Sequence, residues 1–167
     1  VKMNAGCYGL ETKDNLKEIK IINSLGKIIN LKKEQINLTY RNSSLNKGDL
    51  VLSAYFNYLY GEPEEIALKL NEIKERREIS QPLKTKTSGS TFKNPPNHFA
   101  AKLIEMAGCK NLNVGDVFVS TKHSNFLINT NNATANDIEE LGLKIIERVY
   151  NKFNIKLEWE VRIIGNH

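Results

Sequence analysis

An α+β fold is predicted by three observations: β-prone runs between turn signals in the first third, apolar residues at helical spacing from about residue 61 onward, and a closing segment that alternates apolar with charged residues. In the first third, Glu18–Asn23 and Lys27–Leu31 flank Ser24-Leu25-Gly26, the signature of a hairpin turn. Asp49–Phe56 is a further β-prone run, and the polar stretch Thr39–Ser44 lies between the two. Gly61-Glu62-Pro63-Glu64-Glu65 then gives a breaker, an early proline and first-turn acids, which start a helix. Ile66, Leu70, Ile73 and Arg77 continue it, with Lys69, Glu72 and Arg76 on a charged face, so an amphipathic helix and a domain boundary are expected here. Lys86–Pro96 is a breaker-rich loop. A short helix follows through Phe99, Ala100, Leu103, Ile104 and Ala107, with Gly108 as its left-handed stop. Val114–Ser120 and Asn125–Asn129 read as short strands. Thr134 with Asp137 reads as a helix cap before Ile138, Leu141, Ile145, Val149 and Phe153. In the last segment Leu157, Trp159, Val161 and Ile163 alternate with Glu158, Glu160 and Arg162. That is the period of a strand with its apolar set on one face.

Composition excludes several classes. At 40% hydrophobic and 26% charged residues, the 167-residue chain can bury a core. The net charge of +5 is spread from Lys2 to Arg162 rather than gathered in a stripe. It favours an anionic ligand such as a diphosphate, not a nucleic acid. Cys7 and Cys109 form no CxxC pair and no disulfide framework, which points to a reducing cytoplasm. No run approaches the ~18 apolar residues of a membrane span, so no membrane partner is expected. His98, His123 and His167 are not spaced as metal ligands, and no metal site is expected.

Three polar residues in separate segments are candidates for chemistry. Arg41, in a loop between strands, reads either as a solvent arginine or as a forked clamp on a carboxylate. Ser90 follows Gly89, which allows close backbone approach to a ligand. It reads equally as part of a turn of small residues, and it lacks the flanking glycines of a nucleophile elbow. Glu160 is either an exposed ion-pair partner of its neighbours or a carboxyl facing a cleft. Alternation alone leaves both readings open.

Together these segments resemble the UDP-N-acetylenolpyruvoylglucosamine reductase family. Met3–Gly9 is similar to that family's flavin-domain segment, and Thr39-Tyr40-Arg41 to its catalytic-arginine motif. Arg77 with Gln81-Pro82 resembles its R-x-x-x-Q-P segment. Gly89–Pro96 resembles its serine loop, and His98–Glu105 continues the match. Val119–Phe126, Asn132–Ala135 and Glu158–Gly165 complete it, in family order over nearly the whole chain.

The resemblance implies a partial FAD-binding subdomain at residues 1–63, followed by an α+β substrate-binding domain at 64–167. It implies reduction of UDP-N-acetylglucosamine enolpyruvate to UDP-N-acetylmuramate for peptidoglycan precursors, with FAD as cofactor and NADPH as reductant. Arg41 and Glu160 would stabilise an enolate-like intermediate, and Ser90 would protonate the carbon next to the hydride acceptor. Asn4, Ala5, Gly6 and Arg77 would meet the flavin. Tyr8, Asn94, Lys102 and His123 would line the substrate side, with Lys102 and His123 near the diphosphate. The family's glycine-rich FAD phosphate loops have no counterpart here. A separate or upstream N-terminal FAD-binding segment is therefore an implied partner, and the first third should expose apolar surface or an unpaired sheet edge. The alternative is an inactive fragment or UDP-sugar-binding module that lacks the FAD phosphate site. Departures from the family pattern include Cys7, Leu10, Asn97, Ala101, Gly115-Asp116-Val117 and Lys86-Thr87-Ser88, but Arg41, Ser90 and Glu160 are retained.

Overall fold

The first third folds around one strand. The computed structural model describes residues 1–165, and the chain divides into two units, Val1–Glu62 and Pro63–His167. In the first unit, β1 (Gly6–Cys7) and β2 (Leu10–Glu11) form a small hairpin, followed by the single turn α1 (Thr12–Asn15). The strands β3 (Leu16–Ile22) and β4 (Ile28–Lys32) are the expected hairpin, and β7 (Leu50–Phe56) pairs with the other side of β3. Gly26, at φ +74°, closes the β3–β4 turn by donating its N–H to the Asn23 carbonyl at 2.9 Å. A 3₁₀ turn (Lys33–Gln35) leads to the short hairpin β5 (Leu38–Thr39) and β6 (Asn42–Ser43).

Alternation on β3 buries Ile19 and Ile21, and a register shift between Leu16 and Glu18 brings Leu16 to the same cluster, with Ile36 and Leu38. The opposite face carries an apolar row, because Ile22 pairs with Ile28 and Leu50, both about two-thirds exposed (64% and 65%). Among the described residues the outer edges of β4 and β7 are unpaired.

The second unit begins with α2 (Pro63–Ser80). No residue of α2 is buried, so the expected amphipathic packing is absent. At 100° per residue, Leu68 and Ile79 project from the side opposite Ile66, Leu70 and Ile73, and no single apolar stripe results. The helices α3 (Ala100–Met106) and α4 (Ala135–Phe153) pack with a sheet of order β10-β9-β8, formed by Leu127–Asn129, Val117–Val119 and Asn113–Val114. Leu141, Ile145 and Val149 recur every four residues on α4 and join Leu103, Ile104, Val117, Val119 and Leu127 in one core. Thr134 caps α4 in a reciprocal box, accepting the Asp137 N–H at 3.2 Å while the Asp137 carboxylate accepts the Thr134 N–H at 2.7 Å. The latter bond holds the Asp137 carboxyl below its ordinary range. Gly108, at φ +71°, follows α3 as expected.

Two strand expectations are corrected. Val114–Ser120 is a hairpin, because Val114 pairs with Val117 across the turn Gly115-Asp116. Leu157–Ile163 forms no ladder and makes a single bridge, Trp159 to Phe92. Its neighbour on that side is the serine loop, and in the register of that bridge Arg162 falls opposite Gly89, whose φ of +86° takes the loop out of the extended conformation a ladder needs. Beyond it Ile163 and Ile164 are exposed. Trp159 itself lies on Gly142 of α4, where a Cβ would meet its indole at 1.9 Å, so only glycine admits that ring. No described helix is long and apolar enough to cross a membrane.

Candidate active-site residues in each unit

In the first unit, two tight turns carry candidate residues. Tyr8 and Gly9 join β1 to β2, and Tyr40 and Arg41 join β5 to β6. Six non-glycine residues among those described have φ > 0, and four of them are asparagines, which tolerate that region. The other two are Tyr8 (φ 52°) and Arg41 (φ 52°). Residues held in such conformations cluster at functional sites, and this signal is independent of sequence motifs. The Arg41 guanidinium lies 5.0 Å from the Tyr40 ring centroid.

Asn4 ties these turns together. It is fully buried, donates to the Thr39 carbonyl at 3.1 Å and to the Glu11 carboxylate at 3.0 Å, and accepts the Lys13 N–H at 2.9 Å. Its amide is thus engaged within the protein, at the residue two before Arg41. The Lys13 ammonium, 2.6 Å from Glu11, holds that carboxyl below the ordinary range, with Asn4 assisting and desolvation opposing. Ala5 is exposed, and its carbonyl accepts from the Thr12 N–H at 2.8 Å. Gly6 must lack a side chain, because a Cβ would meet the Leu10 carbonyl at 3.0 Å and the Glu11 side chain at 2.9 Å.

In the second unit the serine loop is held on both edges. Ser90 bridges Phe126, and the Thr91 N–H donates to the Asn125 carbonyl at 2.8 Å. Asn125 also accepts the Phe92 N–H at 2.9 Å and donates to the Phe92 carbonyl at 2.8 Å through its side-chain amide. On the other edge the Glu160 N–H donates to the Thr91 carbonyl at 2.8 Å, and the Lys93 N–H to the Glu158 carbonyl at 2.9 Å. The Phe92 and Trp159 rings stack at 4.9 Å beneath this clamp. Ser90, His123 and Glu160 therefore come from three segments that meet around Thr91-Phe92. All three are half-buried.

His123 packs edge-on against Phe126 at 4.6 Å, and its buried Nδ1 has no partner. Burial pushes its pKa down, so near neutrality it offers a neutral N–H rather than a positive charge. The Thr91 and Ser124 hydroxyls are also buried without partners, which is where ordered water or ligand atoms are expected. Asn94 accepts the Ala100 N–H at 2.9 Å and so starts α3, which carries the exposed Lys102. Arg77 is exposed near the end of α2. The next residue, Glu78, accepts from the Lys122 ammonium through its carbonyl, and a recess of about 440 Å³ is lined by Gln81, Pro82, Lys84 and Lys122 among others.

Among the described residues, no three of His, Cys, Asp and Glu are grouped as metal ligands. His167 lies outside the described residues. Sequence reading missed the role of Asn125. The available signal was an amide at the head of the apolar run Phe126-Leu127-Ile128, where a buried polar group needs partners.

Known proteins resemble the chain over nearly its whole length. The family model for the C-terminal domain of UDP-N-acetylenolpyruvoylglucosamine reductase matches residues 81–164. A reductase of that name from Erythrobacter litoralis is 45% identical over 165 residues, covering 99% of this chain and 51% of the relative. The one from Wolbachia pipientis is 41% identical over 168 residues, covering 100% of this chain and 57% of the relative. A crystal structure of UDP-N-acetylenolpyruvylglucosamine reductase from Thermus caldophilus matches with a TM-score of 0.81 at 34% identity, over 95% of this chain and 57% of that one. The chain spans about half the length of the curated relatives it matches.

Proposed function

The chain belongs to the UDP-N-acetylenolpyruvoylglucosamine reductase family, and on that premise we propose that it provides the substrate-binding and proton-donating side of a peptidoglycan-precursor reductase. The substrate is UDP-N-acetylglucosamine enolpyruvate and the product UDP-N-acetylmuramate. Bound FAD, recharged by NADPH, supplies the hydride. A cytoplasmic location fits the free cysteines, since Cys7 and Cys109 are unbridged.

This chain's own residues do the rest. The Arg41 guanidinium pairs with the substrate carboxylate as charge builds on it, and Glu160, as the carboxylic acid, donates a hydrogen bond to the same enolate-like group. The Ser90 hydroxyl gives its proton to the carbon adjacent to the hydride acceptor. Asn94, Lys102 and Tyr8 orient the sugar nucleotide, and neutral His123 offers a hydrogen bond toward the diphosphate. The observation that carries this reading is the 2.8 Å main-chain bond from Glu160 to Thr91, which brings the carboxyl-bearing segment beside the Ser90 loop.

For FAD, the described residues fit only in part. The exposed Ala5 and the backbone of Gly6 are open to the polar edge of the flavin ring, and the exposed Arg77 is open to an anionic group. A diphosphate cradle at a helix N-terminus is not among them: α2 and α4 carry acids in their first turns, and α3 has only seven residues. A separate or preceding FAD-binding segment is therefore the proposed partner. The same observation favours a second reading, a UDP-sugar-binding module without reductase activity.

The test mixes the chain with FAD, NADPH and UDP-N-acetylglucosamine enolpyruvate, with and without the N-terminal FAD-binding part of a relative. Substrate-dependent NADPH oxidation in either mixture is the expected result. Calorimetric UDP-sugar binding without oxidation in either mixture would favour the second reading, and neither binding nor oxidation would overturn both.

A further inference from the structure

We propose that Asn125 is a positioning residue for Ser90, acting through the backbone of the serine loop. The inference rests on the reductase reading above. Asn125 is 4% exposed, and its side-chain amide serves Phe92 as a neighbouring strand would, accepting the N–H at 2.9 Å and donating to the carbonyl at 2.8 Å. Its main-chain carbonyl accepts the Thr91 N–H at 2.8 Å. One residue thus makes three hydrogen bonds to the dipeptide that follows Ser90.

The other edge of that dipeptide is bonded to Glu160, whose N–H reaches the Thr91 carbonyl at 2.8 Å. Beyond Glu160 the pairing stops, because Arg162 falls opposite Gly89, which at φ +86° is not extended. On the N-terminal side the next tie to the sheet is the Lys86–Asn129 bridge, four residues before Ser90. The Ser90 backbone is bridged to Phe126, and on its C-terminal side it is fixed by the Asn125 brace acting against Glu160. Asn125 is buried with its amide spent on Phe92, so it acts through the loop. Without its amide, the Phe92 N–H and carbonyl lose their partners in a residue that is 1% exposed, and the loop shifts to satisfy them.

The test compares wild type, Asn125→Asp and Asn125→Ala in the flavin-loaded holoenzyme containing this chain. Asn125→Asp keeps shape and the acceptor for Phe92 N–H but, when ionised, loses the donor. Both variants are expected to lower kcat about 10²-fold, the scale of a 1 Å misplacement, with KM for the enolpyruvyl ether little changed. A larger solvent deuterium isotope effect on kcat should accompany the loss, because protonation becomes the slow step. Loss of thermal stability alone would move neither the kcat-to-KM split nor the isotope effect. Wild-type kcat and isotope effect in Asn125→Asp would overturn the positioning role while leaving the reductase reading intact. A wild-type holoenzyme that does not turn over the ether would overturn the reductase reading, and this inference with it.

Discussion

The two units hold their candidate residues in different ways. In Pro63–His167 the serine loop is anchored by Phe92 in a cluster of twelve buried residues, most of them from α3, α4 and the sheet, and two segments clamp it through main-chain and amide hydrogen bonds. In Val1–Glu62 the buried cluster has five residues, and the candidate turns rely on one buried amide, Asn4, and on two residues at positive φ. Much of the first unit's apolar surface is still in water, from Leu10 and Ile28 to Leu59 and Tyr60. A site can thus be made rigid either by a core beneath it or by local polar ties around it. The second way tolerates less loss, because each tie has no substitute.

The comparison can be broken most sharply at Ser90. Ser90→Ala should lower the proposed reductase's kcat by about 10²–10⁴-fold while leaving the melting temperature within a few degrees of wild type, read by steady-state kinetics and calorimetry. Next in size is the core. Ile145→Ala should cost about 2–5 kcal/mol in denaturant unfolding, because Ile145 is fully buried in the second unit's cluster. Gly142→Ala should cost about 1–3 kcal/mol by overpacking against Trp159. The same change should raise amide exchange at Glu160 and Lys93, because Trp159 carries the segment that clamps the loop.

Smaller effects sharpen the picture. Thr134→Ala should cost about 1 kcal/mol through loss of the α4 cap. It should also remove part of the acid-side dependence from Asp137, whose lowered carboxyl stabilises above its ordinary 3.8 and loses that contribution as pH falls through its folded value. The mildest effect is at His123. Its folded pKa lies below 6.5, so below that pH the unfolded chain binds more protons and stability falls until the folded value is passed. His123→Gln should flatten that slope in pH-dependent melts.

Much of this was legible in the residues. The β3–β4 hairpin announced itself through Ser24-Leu25-Gly26, and α4 through its Thr134–Asp137 cap and its apolar spacing, because both rest on local chemistry. The single-turn elements Thr12–Asn15 and Lys33–Gln35 are too short to show a period. Alternation at Leu157–Ile163 promised a strand, but pairing needs an extended partner, and the loop leaves that conformation at Gly89, opposite Arg162. The apolar residues of α2 looked like a face until Leu68 and Ile79 are placed around its axis. Within the candidate site, motif resemblance found Ser90 and Glu160. The Asn125 brace joins residues 33 apart in sequence, and such a tie becomes visible only once the chain is folded.

The most direct measurement is a crystal structure of the flavin-loaded holoenzyme with UDP-N-acetylglucosamine enolpyruvate bound. The Ser90 hydroxyl is expected within about 3.5 Å of the carbon it protonates, with the Arg41 guanidinium and the Glu160 carboxyl on the substrate's carboxylate. A substrate bound with any of these three side chains turned away from the enolpyruvyl group would contradict that expectation.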